Sequence, residues 1–395
     1  MDIVTTVDGN SRGPLHGVRV IELAGIGPSP FTAMLLADLG ADVIRVQRPG
    51  YHSPANPVSP KNDVLNRSRR CVSIDLKSDE GRALVLDLVR SADVLLEGFR
   101  PGVTERLGLG PEDCSAVNEA LVYGRMTGWG QDGAMALAAG HDINYISIAG
   151  ALAPMGTAER PVPPLNLLGD FGGGGMLLAL GVVAGVLDAR SSGRGQVVDA
   201  AVVDGTALLT SMLYGFMAEG VWTAGREQNL LDGACHFYNV YECADKRWVA
   251  VGCIEPQFYA AMLSGLGLTG DKELESDQSD KTLWPALRKR LADVFATKTQ
   301  AEWIAIFDGT DACVTPVVEL GDVQDHPHGA SRGLMVEVDG LLQPTPAPRF
   351  SRTPLAVPTR PPLPGEHTMR ALADWGIPAE KLEGLRDRGV IVESA

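Results

Sequence analysis

The stretch Val18–Val46 constrains this chain most. Val18-Arg-Val-Ile-Glu-Leu-Ala24 is a short apolar strand, Gly25-Ile-Gly-Pro-Ser-Pro30 a loop, Phe31–Leu39 a helical pattern and Ala41-Asp-Val-Ile-Arg-Val46 a second strand. Strand, helix and strand in such quick succession make a βαβ unit, which favours a parallel sheet with a right-handed crossover. The beat repeats: Cys71–Leu76 reads as a strand, Glu80–Ser91 as a helix and Asp93–Glu97 as a strand. Further strands fall at Leu121–Met126 and, after the turn Ser191–Gly195, at Gln196–Val203. The expected fold is α/β, with a Rossmann-like larger domain.

Near residue 225 the pattern changes. Phe237–Glu242 and Trp248–Val251 are strand-like runs around the turn Cys243–Arg247, a hairpin that opens a smaller α+β domain. Helical stretches follow at Pro256–Leu266 and between Leu283 and Phe307, then the apolar run Ala312–Val317. The prolines of Pro344–Pro364 forbid continuous helix and suggest an extended connector, after which Glu366 onward is amphipathic again. These shifts give a larger domain over 1–200, a linker over 201–224, the smaller domain over 225–320, a second linker over 321–343, and a C-terminal segment, 344–395, that returns to the larger domain.

Charge excludes one broad class. With 34 Lys and Arg against 49 Asp and Glu the net charge is −15, so no whole-chain cationic surface for nucleic acid is expected. The 46 glycines and 26 prolines point to many turns and close backbone approaches. The longest apolar run, Met176–Leu187, is shorter than the ~18 residues of a membrane span, and no membrane partner is expected. The polar N-terminal stretch Met1–Pro14 has no basic-then-apolar leader, which leads to a cytoplasmic expectation. Cys71, Cys114, Cys235, Cys243, Cys253 and Cys313 are scattered without a CxxC pair or a Cys/His array, so they read as reduced core thiols, with no metal expected.

Several motifs have both a chemical and a structural reading. The loop Gly25–Pro30 invites a dinucleotide, but Pro30 stands at the third glycine and the second strand runs into Gln47-Arg48 where a ribose-binding acid belongs. NAD is disfavoured, and an NADP dehydrogenase survives as an alternative through Arg48. Between Lys61 and Lys77, the cations Lys61, Arg67, Arg69, Arg70 and Lys77 face only Asp63 and Asp75; this is either a solvated basic loop or a site for a phosphorylated small molecule, with Arg48, Arg100 and Arg106 as further ligands. Gly172–Gly175 opens an apolar helix without the Gly-Lys-Ser/Thr of a P-loop, and Asp170 before it reads as an N-cap or an acid at a helix N-terminus. His141 and Asp142 start another helix, and Glu255 precedes Pro256 in a good capping position.

Taken together, AGHDINY with His141, NLLGDFGGGG with Asp170 and IEPQFY with Glu255 resemble the active-site segments of the alpha-methylacyl-CoA racemases, within the family III CoA-transferase superfamily. The resemblance runs nearly the whole chain, through LHGVRVIELAGIGPSP, GADVIRVQRPG, VSIDLKSDEG, ADVLLEGFRPGVTERLGLGP, MTGWGQDG, SSGRGQVVDAAVVDG, LDGACHFYNVYECAD, VTPV and PAPRFSRTP. Gly133-Ala134 departs from the Gly-Pro usual after MTGWGQ.

The resemblance implies racemisation of a 2-methylacyl-CoA thioester at its alpha carbon, with no cofactor, coenzyme A being part of the substrate. Inversion needs two acid/base groups, and the resemblance gives these roles to His141 and Asp170. It gives Glu255 the support of His141, the backbone N–H of Asp142 the enolate oxygen, and Arg48, Lys77, Arg100 and Arg106 the coenzyme A phosphates. Met34, Met176, Met212 and Met217 could offer the acyl chain an adaptable surface or simply fill the core. An interlocked homodimer is implied as well. Two rivals remain: a CoA-transferase working through a covalent Asp170 intermediate, and a non-catalytic acyl-CoA-binding protein.

Overall fold

Successive side chains along a strand point to opposite faces of the sheet, and in this chain each face buries its own apolar set. The strands are β1 (Arg19–Leu23), β2 (Asp42–Gln47), β3 (Arg70–Ile74), β4 (Val94–Glu97), β5 (Val122–Thr127) and β6 (Val197–Ala201). Val20, Val43 and Val94 join one core, while their neighbours Ile21, Ile44 and Leu95 join another. A sheet buried on both faces is what near-continuous apolar strands demand. The structure, a computed structural model, describes residues 13–50, 57–276 and 278–394; of the polar N-terminal stretch, Met1–Arg12 lies outside the described residues.

The chain divides into two compact units, one of residues 1–149, 165–209 and 331–395, the other of residues 150–164 and 210–330. In the first, β1 to β6 are mutually parallel in the spatial order β3-β2-β1-β4-β5-β6. This is a doubly wound sheet, and its strand order reverses between β1 and β4. Ligands in such sheets bind at the carboxyl ends of the strands beside that reversal. Helix α1 (Pro28–Asp38) follows β1, with prolines in its first turn, and α2 (Asp79–Val89) is capped by Ser78, whose Oγ accepts the Gly81 N–H at 3.0 Å. After β4 come the short helices α3 (Val103–Arg106) and α4 (Pro111–Ser115), and after β5 comes α5 (Asp142–Ile148).

A π-helix, Leu167–Met176, runs directly into α6 (Leu177–Ser192), and β6 leads into α7 (Val202–Leu209). Together Leu167–Ser192 form 26 residues that are long and apolar enough, by length and composition alone, to cross a membrane. This is longer than the apolar run read from the sequence because helical geometry continues through the four glycines. Leu178, Val182 and Val186 bury their side chains in the core shared with Leu96 and Val122, so this is a core helix of the first unit.

The second unit holds α8 (Ser211–Ala218), an antiparallel sheet of β7 (Tyr238–Glu242), β8 (Trp248–Gly252) and β9 (Val314–Pro316), and the helices α9 (Pro256–Gly265), α10 (Trp284–Phe295) and α11 (Gln300–Phe307). Its core is aromatic, with Tyr241 stacked on Phe295 at 5.0 Å and Phe295 edge-on to Trp303 at 5.3 Å. Helix α12 (Pro327–Arg332) carries the chain back to the first unit, where β10 (Met335–Val338) and β11 (Leu341–Pro344) form a hairpin. Helices α13 (Thr368–Asp374) and α14 (Ala379–Asp387) cover β3, and β12 (Ile391–Val392) pairs antiparallel with it.

The expected boundaries differ from these units in three places, the first being the second linker, 321–343, which holds α12 and β10 and is divided between the units after Ala330. The stretch 201–224 is mostly helical rather than a linker, and the change of unit falls within it, between Leu209 and Thr210. Residues 150–164, expected in the larger domain, group with the second unit. Among the cysteines, Cys313 is exposed rather than a core thiol, while the other five are buried and none forms a disulfide.

Candidate active site

Two loops and a π-turn meet at the carboxyl ends of β1 and β5. Gly27, with φ +70, closes the loop after β1, and a Cβ there would lie 3.5 Å from Asp170 Oδ2. That distance places the Asp170 carboxyl beside the loop. Asp170 is not the N-cap that the sequence suggests but the fourth residue of the π-helix. Wide π-turns recur at functional sites because they re-aim side chains. Here the turn is held by close approach: a Cβ on Gly173 would meet Thr206 of α7 at 2.6 Å, and one on Gly175 would meet Phe31 of α1 at 2.7 Å.

His141 is the N-cap of α5, its backbone extended and its side chain exposed. It takes no capping bond with its ring; instead its N–H donates to Asn144 Oδ1 at 3.0 Å and its carbonyl accepts the Asn144 N–H at 2.8 Å. Capping therefore leaves the imidazole uncommitted. Asp142 next to it is buried, and its Oδ1 accepts the backbone N–H of Asp170 at 2.6 Å. Gly169 must be glycine for this, since a Cβ would stand 2.2 Å from that oxygen. Asp142 is the first residue of α5, so its own N–H has no partner within the helix.

The electrostatics follow from this packing. Burial pushes the Asp170 carboxyl above the ordinary carboxylate value and the Asp142 charge pushes the same way, against a hydrogen bond from Asn166 Nδ2 at 3.3 Å and the nearby charge of His141. Asp142 is raised as well by burial, against the N–H bonds of Asp170 and Gly169. Tyr145 packs edge-on to Trp129 at 4.8 Å and its hydroxyl donates to the Gly140 carbonyl, fixing the turn before His141. Burial raises its phenol, Asp170 adds to the rise and Arg100 opposes it, so Arg100 acts electrostatically on this same corner.

The structure thus brings His141, Asp142 and Asp170 together in the first unit, with Arg100 within electrostatic reach. Arg48 follows β2, Lys77 follows β3 and Arg106 ends α3 after β4, all exposed at the carboxyl ends of the sheet. Glu255 belongs to the second unit. It is the N-cap of α9, yet its carboxylate makes no capping hydrogen bond, and its charge bears on the thiol of Cys313. A cavity of about 480 Å³ opens beside the trio, lined by Gly25, Gly27, Gln47, Asn166 and Phe171 among others.

One expectation is corrected, and another, left open between surface and core, is divided. The basic stretch Lys61–Lys77 is not a free cationic patch: Arg69 is buried with Arg45 on Glu22, Arg67 is buried on Asp38 at 2.5 Å, and Arg70 pairs with Asp42 at 2.6 Å. Of the four methionines, Met34 is buried in α1, while Met176, Met212 and Met217 are more than half exposed. Asn166 and Tyr145 were missed as site residues. Asn166 lies four residues before Asp170, a spacing that places both on one helical face, but only once the helix is known to start at Leu167.

Comparison with known proteins gives the family. The model of CoA-transferase family III matches residues 15–368, and the chain belongs to that family. It is 48% identical over 386 residues to the alpha-methylacyl-CoA racemase of Mus musculus, covering 96% of this chain and 98% of that one. Identity to the alpha-methylacyl-CoA racemase of Homo sapiens is 45% over 381 residues, covering 95% and 97%. The fold is shared with a CAIB/BAIF family protein from Brucella suis, at a TM-score of 0.79 and 24% identity over 92% of this chain and all of that one.

Proposed function

We propose that this protein racemises 2-methylacyl-CoA thioesters at the alpha carbon by moving a proton off one face and onto the other. The observation that carries this reading is the pairing of a raised carboxyl, Asp170, with an uncommitted imidazole, His141, across the start of α5. Asp170 in its carboxylate form takes the alpha proton of one stereoisomer while His141 in its protonated form supplies one to the opposite face. The reverse reaction exchanges the roles. Between the two transfers the thioester is an enolate, and the Asp142 N–H at the positive end of α5 is assigned to its oxygen.

Glu255 is assigned to the support of His141, a role carried by the family resemblance. Arg48, Lys77, Arg100 and Arg106 are assigned to the phosphates of coenzyme A, which Arg and Lys at the strand ends suit by charge. The reading assigns no metal and no cofactor: proton transfer needs no redox group, since no electron leaves the substrate, and the enolate oxygen is given to a backbone N–H. A homodimer in the cytoplasm is part of the same reading, carried by the family resemblance.

The test is incubation of a panel of 2-methylacyl-CoA esters in heavy water, with a free carboxylic acid added in parallel. Label at the alpha carbon with both stereoisomers formed supports the racemase. An acyl adduct trapped on Asp170, with coenzyme A passed to the free acid and no inversion, transfers the protein to the CoA-transferase reading.

A further inference from the structure

Toward the carboxyl ends of β4 and β5 two opposite charges, Glu97 and Arg125, are buried side by side, with the exposed Asp199 of β6 next to them. Glu97 pairs in register with Arg125, and Arg125 with Asp199. The Arg125 Nε donates to Glu97 Oε1 at 2.8 Å, and its Nη1 donates to Glu105 Oε1, also at 2.8 Å. Glu97 is the last residue of β4 and Glu105 lies in α3, so one guanidinium grips both ends of the segment 98–104. The other oxygen of Glu97 accepts the Phe99 N–H at 2.7 Å and fixes the first turn of that segment. Arg100 lies inside the grip and Arg106 directly after it.

Charge gives the grip a second effect. Glu105 is the carboxylate nearest in sequence to Arg106, and Arg125 draws it inward. Among the described residues neither Arg100 nor Arg106 forms an ion pair, in contrast to Arg67, Arg69 and Arg70. Both guanidinium groups are exposed, and their hydrogen-bond donors stay open to an external anion.

We propose that Arg125 is a positioning residue that presents Arg100 and Arg106 to the phosphates of coenzyme A. It rests on the assignment of those two arginines as phosphate ligands, and it adds a residue that touches neither the thioester nor the phosphates. A planar guanidinium is required, because lysine cannot donate along two fixed directions to two carboxylates.

The experiment compares the wild type with Arg100→Ala/Arg106→Ala, Arg125→Met and Glu105→Gln. Coenzyme A affinity is read by calorimetry, and kcat and KM are read with a 2-methylacyl-CoA and with the N-acetylcysteamine thioester of the same acid, which has no phosphates. The double alanine variant weakens coenzyme A by about tenfold or more, the loss expected for charge-assisted bonds. Arg125→Met raises both the dissociation constant and the KM of the CoA ester about tenfold, leaves kcat within about twofold, and leaves the truncated thioester unaffected. Glu105→Gln shifts the same quantities in the same direction by less, and decides the matter if Arg125→Met does not fold. Equal losses with both thioesters overturn the proposal, as does wild-type coenzyme A affinity in Arg125→Met and Glu105→Gln when the double alanine variant is weakened. If the double alanine variant itself binds like the wild type, it is the phosphate assignment of Arg100 and Arg106 that fails.

Discussion

The Asp142 carboxylate accepts the backbone N–H of Asp170 at 2.6 Å, so the helix that His141 heads also holds the segment that carries the opposing carboxyl. The contact has an electrostatic sign. A negative charge beside Asp170 favours its protonated form, and removing that charge lets the carboxyl ionise at lower pH. Asp142→Asn is therefore expected to move the acid limb of kcat/KM downward in pH for the stereoisomer whose proton Asp170 removes. The check is a pH profile for each stereoisomer; an upward or absent shift would contradict the assignment.

Asn166 works in the other direction. Its amide donates to the ionised Asp170 and so opposes the rise caused by burial. In Asn166→Ala the carboxyl stays protonated to a higher pH, and the acid limb in the same profile moves up. Opposite shifts in the two variants would identify Asp170 as the group that titrates.

The buried Arg45–Glu22–Arg69 cluster is structural, and its carboxylate is fully buried. Glu22→Gln removes the carboxylate that two buried guanidinium groups share and is expected to cost about 3–5 kcal/mol of stability, whereas Arg388→Ala, which breaks an exposed pair with Glu80, costs about 0–1 kcal/mol. Denaturant midpoints of the two variants measure the difference.

His236 gives the second unit an acid-sensitive core. Its ring is fully buried, bonded through Nε2 to the Tyr259 hydroxyl at 2.8 Å, and burial lowers its pKa to about 4. The unfolded chain takes up a proton near ~6.5 while the folded chain resists until about 4, so stability falls as pH falls between those values, by roughly 2 kcal/mol at pH 5. His236→Phe should flatten this slope, whatever its effect at neutral pH. Denaturation curves at pH 7 and pH 5 provide the comparison.

Much of the first unit was legible because its strands alternate into two buried faces and its turns carry Gly and Pro. Val18–Ala24 and Ala41–Val46 differ from β1 and β2 by a residue or so at each end. What the sequence hid depends on distant partners. Arg67 and Arg69 read as free cations because Asp38 and Glu22, which neutralise them, lie 29 and 47 residues away. The start of the π-helix was hidden for a related reason. Glycine is disfavoured in a helix by about 1 kcal/mol relative to alanine, and only packing against α1 and α7 keeps Gly172–Gly175 helical. The two-residue strand β12 is too short for any periodicity, and its place is set by pairing with β3. In the site, local pattern gave each residue a bland role, and only the resemblance joined His141, Asp170 and Glu255.

The central claim is that His141 and Asp170 each serve one face of the alpha carbon, and single-isomer exchange tests it most directly. Each pure stereoisomer of a 2-methylacyl-CoA is incubated in heavy water with wild type, His141→Ala and Asp170→Ala, following label uptake and inversion separately. A proton-transfer group contributes about 10² to 10⁴-fold, so each variant should lose inversion by that order, roughly 3–5 kcal/mol of barrier. Each should still exchange label from the isomer whose proton faces the surviving base, and the two variants should favour opposite isomers. Near-wild-type inversion in both variants, or the same isomer preference in both, would contradict the two-base account.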